Sequence, residues 1–316
     1  MNAQSVNNYR PINLIGCISK IVSKILAKRM KCVIGSVVSD TQTAYIEGRS
    51  ILDGPLMVNE IVSWTKSSKR KAMLFKVDFE KAFDSINWGF LDSVMSQMAF
   101  PTLWRKWVMG ILSSARMSVL VNGSPTLEFN IQRGVRQGDP LSPLLFIIAM
   151  EALHITMESA KEMGIFKGVC TPNNSHLLYV DDVLFIGEWS ECNFHNLARI
   201  LRCFHFSSEL KVNFMKSQLY GVGVDNGELS WVASILGCKT GTYPFVYLGL
   251  PVDANMGLVK KWRLIMEKFE SKLSLWKART LSFGGRMTLI KAVLGNLPTY
   301  YFSLLKSDAN FFGAVA

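Results

Sequence analysis

Two adjacent carboxylates, Asp181 and Asp182, stand inside "HLLYVDDVLFIG" (176–187), where large apolar residues read as a strand hairpin with the pair at its tip. Carboxylates in such surroundings are costly unless a positive partner offsets their charge. A third, Asp78, ends the strand-like stretch "AMLFKVDF" (72–79). If the two strands are neighbours, Asp78 and Asp181 converge on one spot, and like charges at close range raise one another's pKa. Hard oxygen donors suit Mg²⁺. Two such ions about 3.5–4 Å apart activate an attacking hydroxyl and stabilise a leaving pyrophosphate. The alternative from spacing alone is a structural pair of turn aspartates.

The elements that must position these groups are short and mixed. "ISKIVSKILAKRM" (18–30) puts Lys20, Lys24 and Lys28 on one helical face and Ile21, Ile25 and Leu26 on another. A helical stretch follows Asp78 through Met98 and stops before Pro101. "MSVLVNGSPTLEFNI" (117–131) predicts a hairpin turning at Asn122-Gly123. From Pro140 to about Glu162 the pattern is helical, with Pro143 in the first turn. Leu258, Trp262, Ile265, Phe269, Leu273 and Trp276 recur at helical spacing near the end, with basic residues outside. Helices and short strands alternate without a strict βαβ period, so the fold class is α+β.

Composition narrows the partners. Residues 1–76 carry 12 Lys/Arg against 4 Asp/Glu, residues 77–259 carry 13 against 17, and residues 260–291 carry 9 against 2. Basic flanks around an acidic middle suit a polyanion gripped from both sides and cations held at the centre; solvated helix faces are the plain alternative. The longest apolar run, "LLFIIAM" (144–150), has seven residues. A spanning helix needs about 20, so no membrane partner is expected. Six scattered cysteines without a secretory signal read as free thiols in a reducing compartment.

These segments resemble the reverse transcriptases, and most closely the LINE-type, non-LTR retrotransposon family in its plant members. "LLYVDDVLF" is similar to the x-Asp-Asp motif, "FKVDFEKAFDSINW" (75–88) to the first catalytic motif, and "RGVRQGDPLSPLLFIIAMEAL" (133–153) to the Gln-Gly loop and helix. "NYRPINLIGCISKIVSKILAKRM" (8–30) and "QTAYIEGRSILDG" (42–54) resemble the fingers. "LKVNFMKSQLYGVG" (210–223), "YLGLPV" (247–252) and "LSFGGRMTLIKAVLGNLPTY" (281–300) continue in order. The resemblance covers roughly residues 7 to 305 and implies a right-hand polymerase: fingers (1–75), a palm of antiparallel sheet packed on helices (76–254, with interleaved fingers segments and the primer-grip turn), and a partial helical thumb (255–316).

The resemblance implies an RNA-directed DNA polymerase that joins dNTPs to a DNA primer on an RNA template, with two Mg²⁺ ions. Asp78 and Asp181 would ligate the metals, helped by the Phe79 carbonyl and with Asp182 nearby. Phe83 matches the gate that crowds a ribose 2′-OH; by spacing alone it is a core aromatic. Gln137 and Gly138 match the loop beside the incoming nucleotide, while Arg136 and Asp139 shape that loop. Arg49 matches the fingers arginine on the triphosphate. Lys216 matches the lysine that protonates leaving pyrophosphate, and is otherwise a surface lysine. Tyr247, Leu248 and Gly249 match the turn holding the primer end.

Nothing resembling the endonuclease of LINE polyproteins precedes the fingers, and the match is lost after residue 305, so a fragment or degenerate copy is expected. The alternatives are an inactive RNA-binding relic or a group II intron-type maturase. A viral RNA polymerase is disfavoured by Val180 and Phe83, where Gly and an acidic residue are usual. An intracellular, nuclear or cytoplasmic, location is the family's. Cys192, His195, Cys203 and His205 tempt a zinc reading, but their spacing fits no closed finger. "GVGVDNG" (221–227) opens no βαβ unit and is expected as a loop. Glu80 and Asp84 are expected as helix N-terminal carboxylates.

Overall fold

Lysines and apolar residues at helical spacing form α1 (Cys17–Lys31), followed by the short α2 (Ile34–Val37), in a computed structural model that describes residues 15–169, 175–253 and 281–290. The next elements are α3 (Asp53–Ser67), β1 (Ala72–Val77), α4 (Ala82–Ser85), α5 (Trp88–Gln97) and α6 (Thr102–Ser113). Asn87 caps α5 by accepting the Phe90 N–H, which starts a helix shortly after the turn that follows Asp78. β2 (Arg116–Met117), β3 (Leu120–Val121), β4 (Ser124–Pro125) and β5 (Phe129–Asn130) make the expected hairpin. Asn122 and Gly123 both take positive φ at its turn, as a type I′ connection requires.

The long α7 (Ser142–Glu162) lies within the expected range, with Pro143 in its first turn. It is long and apolar enough to cross a membrane, yet most of it is buried in the core: Leu144, Phe146, Ile147, Met150 and Leu153 are at most 1% exposed. Then come β6 (His176–Tyr179), β7 (Asp182–Glu188), α8 (Glu191–Ser208), β8 (Gln218–Val222), α9 (Asn226–Leu236), β9 (Lys239–Thr240), β10 (Phe245–Tyr247), β11 (Leu250–Val252) and α12 (Phe283–Ile290). β8 takes in Gly221 and Val222 of the segment expected as a loop, leaving Gly223 to Asp225 as the link to α9.

The described residues fall into two units, one within residues 1–50 and 65–241 and one within residues 51–64 and 242–316, so described residues expected in the fingers and in the palm share the first. That first unit is built on a five-stranded sheet in the order β6-β7-β1-β8-β9. All its pairings are antiparallel except β8 with β9. Met73, Phe75 and Val77 of β1, with Val183 and Phe185 of β7, belong to one core with Leu91, Phe146, Met150 and Leu201 from the helices. By the two-residue period of a strand, Lys76 and Leu74 face the other way. The mixed helix-and-sheet class therefore holds.

α1 differs in rotation from the sequence reading. Leu26 is buried as expected, but Ile21 and Ile25 are exposed and Ser23, Ala27 and Met30 turn inward. The reason is polar: the buried Ser23 hydroxyl donates to the buried Asp139 carboxylate at 2.9 Å, and both groups would be costly without a partner. In the second unit, β10 and β11 form a hairpin whose Leu248-Gly249 turn has positive φ at both residues, and Asp253 N–H donates to the Asn59 side chain at 2.8 Å. The basic helix expected over 258–276 lies outside the described residues, as does Cys170; the other five cysteines are free thiols.

Candidate active site

β1 and β7 pair with Val77 opposite Val183, so one further step of the same register sets Asp78 beside Asp182. β6 and β7 pair down to Tyr179 opposite Asp182, leaving Val180 and Asp181 as a two-residue tip. The structure thus brings the three carboxylates to one end of adjoining strands, with Asp181 at the tip and Asp182 opening β7. Asp78 and Asp181 are exposed and Asp182 is half-buried. Burial pushes the Asp182 carboxyl above its ordinary range; Lys76 pulls it back, and the charges of Asp181 and Asp78 push it further up. A half-buried carboxyl pushed up in this way by two acidic neighbours is chemistry that a divalent cation would relieve.

The backbone of Asp78 is held from the β8 side. Its N–H donates to Ser217 Oγ at 3.1 Å, and its carbonyl accepts the Asn213 N–H at 2.7 Å. Ser217 Oγ in turn donates to the Asn213 carbonyl at 2.8 Å. Lys216 is exposed on this same turn, one residue before Ser217. Phe79 bridges Val212, but the flanking bonds are Asn213 N–H to Asp78 O and Glu80 N–H to Lys211 O. Phe79 therefore sits at a non-hydrogen-bonded position, and its carbonyl points away from Val212 toward the β7 side. Ser217 and Asn213 carry no charge, and the sequence reading singled out neither of them.

Phe83 is half-buried and stacks on Phe146 with ring centroids 4.7 Å apart and planes 14° from parallel. Its carbonyl accepts the Val135 N–H at 2.7 Å, and Ile86 O accepts the Gly134 N–H at 2.7 Å, so the Gln-Gly loop is tied to the turn after Asp78. Gly134 is required there: at φ +81°, a Cβ would lie 2.6 Å from the Asp84 carbonyl oxygen. Gln137 Nε2 reaches Asp84 Oδ1 at 3.4 Å, while Gly138 at φ +87° has open space where a side chain would be. Arg136 donates to the Ile111 carbonyl and Asp139 accepts the Leu141 N–H, so both shape the loop as expected. A cavity of about 410 Å³ beside it is walled by Trp88, Met117, Phe129 and Arg133 and includes none of the three carboxylates.

Arg49 is placed differently from a free triphosphate ligand. Its guanidinium donates to the carbonyls of Ser39, Gln42, Val38 and Gly35 and pairs with Asp40 at 3.1 Å. A phosphate contact would have to compete with this cage of carbonyls around the end of α2. Glu80 pairs with Lys211 at 3.2 Å, and Asp84 lies in the first turn of α4. Of the zinc decoys, Cys192, His195, Cys203 and His205 all lie on α8, and His195 faces Glu191.

A different group does cluster: one ligand atom each of His154, Glu158 and His176 lie within 4.8 Å of one another. Here the cation is already supplied, because Lys161 pairs with Glu158. His154 Nδ1 bonds His176 Nε2 at 2.8 Å, with Thr41 and Ser175 hydroxyls on the flanks. Burial, His154 and Lys161 lower the His176 pKa to about 3. The folded form thus resists a proton that the unfolded chain accepts near 6.5, so stability present above that pH is lost as pH falls toward about 3. At pH 5 the loss is about 2 kcal/mol. Burial pushes Glu151 up, which acts in the opposite sense, so the comparison with His176→Gln carries the test. Thermal melts from pH 7.5 to 5 should fall more steeply in the parent; parallel curves would sink the assignment.

A family model described as "Reverse transcriptase (RNA-dependent DNA polymerase)" matches residues 2–252. The chain is 24% identical over 330 residues to the "Transposon TX1 uncharacterized 149 kDa protein" of Xenopus laevis, covering 98% of this chain and 24% of that protein. It is 24% identical over 257 residues to the "Retrovirus-related Pol polyprotein from type-1 retrotransposable element R2" of Popillia japonica, covering 80% of this chain and 34% of that one. The chain therefore spans a quarter to a third of these relatives. Among solved structures it is similar to telomerase from Candida tropicalis in complex with a fragment of telomeric RNA, with TM-score 0.51 and 15% identity, covering 93% of this chain and 48% of that one. That likeness concerns the fold alone.

Proposed function

Because the chain belongs to the reverse transcriptase family, with R2-type non-LTR retrotransposon proteins among its relatives, we propose that it is the polymerase module of such an element and copies RNA into DNA. The observation that carries this reading is the convergence of Asp78 with the Asp181-Asp182 hairpin on adjoining strands. Three carboxylates of which one is already disfavoured as an anion fit a pair of Mg²⁺ ions, with Asp78, Asp181 and Asp182 and the Phe79 carbonyl as oxygen donors. When bound, Mg²⁺ supplies charge neutralisation for in-line attack of a primer 3′-OH on the dNTP α-phosphate.

The chain's own residues do the rest. The hold of Ser217 and Asn213 on Asp78 fixes one ligand without spending its side chain. Phe83, locked on Phe146, crowds the sugar 2′ position and favours deoxynucleotides. Gln137 and Gly138 border the nucleotide, the glycine letting backbone come close. Lys216, whose backbone N–H bonds Asn213 on the turn that holds Asp78, would give a proton to leaving pyrophosphate. Arg49 would reach phosphate only by trading carbonyls for it. Primer extension on poly(rA)/oligo(dT) with dTTP and Mg²⁺ tests the proposal; hybrid binding without extension in Mg²⁺ would return the chain to an RNA-binding relic.

The template–primer would be held mainly through phosphates, with Lys20, Lys24, Lys28 and Lys31 exposed on α1. For about 6–10 phosphate contacts, hybrid affinity should fall ~10³–10⁵-fold between 50 and 200 mM salt. Fluorescence anisotropy of a labelled hybrid reads that slope. A flat dependence would make the basic residues a solvated face.

A further inference from the structure

We propose that Gln42 is a positioning residue that holds the tip of the β6–β7 hairpin, and through it Asp181, in the shape the polymerase reading above requires. Residues 41–43 run beside β6 as a short parallel bridge: Leu178 N–H donates to Thr41 O at 3.1 Å, and Thr43 N–H to Leu178 O at 3.2 Å. This carries the Gln42 side chain, 1% exposed, under the hairpin tip. Its Oε1 accepts the Val180 N–H at 3.3 Å and the Ala44 N–H at 3.0 Å.

Val180 needs that bond. Its φ is +56°, a region where a β-branched residue is strained and persists only when its surroundings over-determine it. The pairing of Tyr179 with Asp182 closes the hairpin without using the Val180 N–H, and Val180 is 7% exposed, so water is a poor substitute. The amide orientation follows, since two N–H donors require the oxygen. Nε2 is then left buried with no partner among the described residues. An apolar side chain would spare that loss, so the glutamine is explained by its acceptor. It ties a segment far away in sequence to the residue just before Asp181.

Gln42→Met keeps the length and removes the acceptor. Amide exchange at Val180 and Asp181 should accelerate about tenfold, the weight of one ordinary hydrogen bond, while exchange in β1 and α7 stays unchanged. Extension at saturating dTTP should fall by a similar factor, and adding Val180→Gly, which takes positive φ without strain, should restore most of it. Gln42→Glu keeps an acceptor oxygen and should leave Val180 protected even if the Met variant fails to fold. Unchanged exchange in Gln42→Met, lost protection in Gln42→Glu, or no rescue by Val180→Gly in a folded protein would each overturn the proposal. Exchange needs no turnover: accelerated exchange in a variant of a chain that extends no primer supports the link and defeats the polymerase reading instead.

Discussion

Asp181→Asn is expected to lower primer extension by orders of magnitude while hybrid affinity, set by phosphate contacts elsewhere, stays nearly constant. The substitution keeps the shape of the hairpin tip and removes one charged oxygen donor from the place where Mg²⁺ would sit. Asp78→Asn should do the same, because both groups are proposed as Mg²⁺ ligands and stand on adjoining strands. A second reading separates catalysis from folding. Without metal, the Asp181 charge is one of the causes that push the Asp182 carboxyl up. A carboxyl with a raised folded-state pKa weakens the folded state at pH above its ordinary range, so neutralising its neighbour should hold or raise the metal-free melting temperature. The expected pattern is therefore lost extension with no lost stability. Retained extension in Asp181→Asn would falsify the two-metal assignment, and a large fall in melting temperature would make the pair structural.

The parts of this site that were legible in the sequence are those carried by chemistry with a local signature. Buried-strand composition around Asp78 and Asp181 announced both strands, and the Asn122-Gly123 turn announced its hairpin. Sidedness was harder. α1 has apolar residues on more than one arc, and periodicity cannot choose between Ile21 with Ile25 and Ser23 with Met30. The choice is made by Asp139, more than a hundred residues away, which needs the Ser23 hydroxyl. Arg49 shows the same limit from the other direction. The resemblance implied a triphosphate for this arginine, whereas the five partners it holds are four carbonyls in and after α2 and Asp40, which only the folded chain brings together. Ser217 and Gln42 escaped for a related reason: neutral side chains that serve backbone groups leave no pattern in charge or hydropathy. The helix expected over 258–276 lies outside the described residues.

Phe83→Val should shift sugar selectivity toward ribonucleotides by at least about tenfold, with a change of 1.4 kcal/mol in relative barrier per factor of ten. The ring has one stacking partner, and the backbone that carries it is tied on two sides. It stacks on Phe146 at 4.7 Å, its carbonyl is bonded by Val135, and Gly134 packs against the adjoining Asp84 backbone. In the proposed gate role, a ring stacked on Phe146 would discriminate by occupancy rather than by attraction. Valine removes the outer ring atoms and leaves that volume open. It also forfeits the stack and part of a half-buried aromatic, a stability loss of about 1–2 kcal/mol that the fold should tolerate. Phe83→Tyr is the control, since it keeps the ring and the stack. The measurement is the ratio of rGTP to dGTP incorporation opposite a template cytosine for parent, Val and Tyr proteins, each checked by a cooperative melt. If the Val protein is less stable but its ratio matches the parent, Phe83 serves only as the core partner of Phe146. If the ratio rises in Val and stays low in Tyr, a single half-buried ring determines which nucleic acid this chain makes.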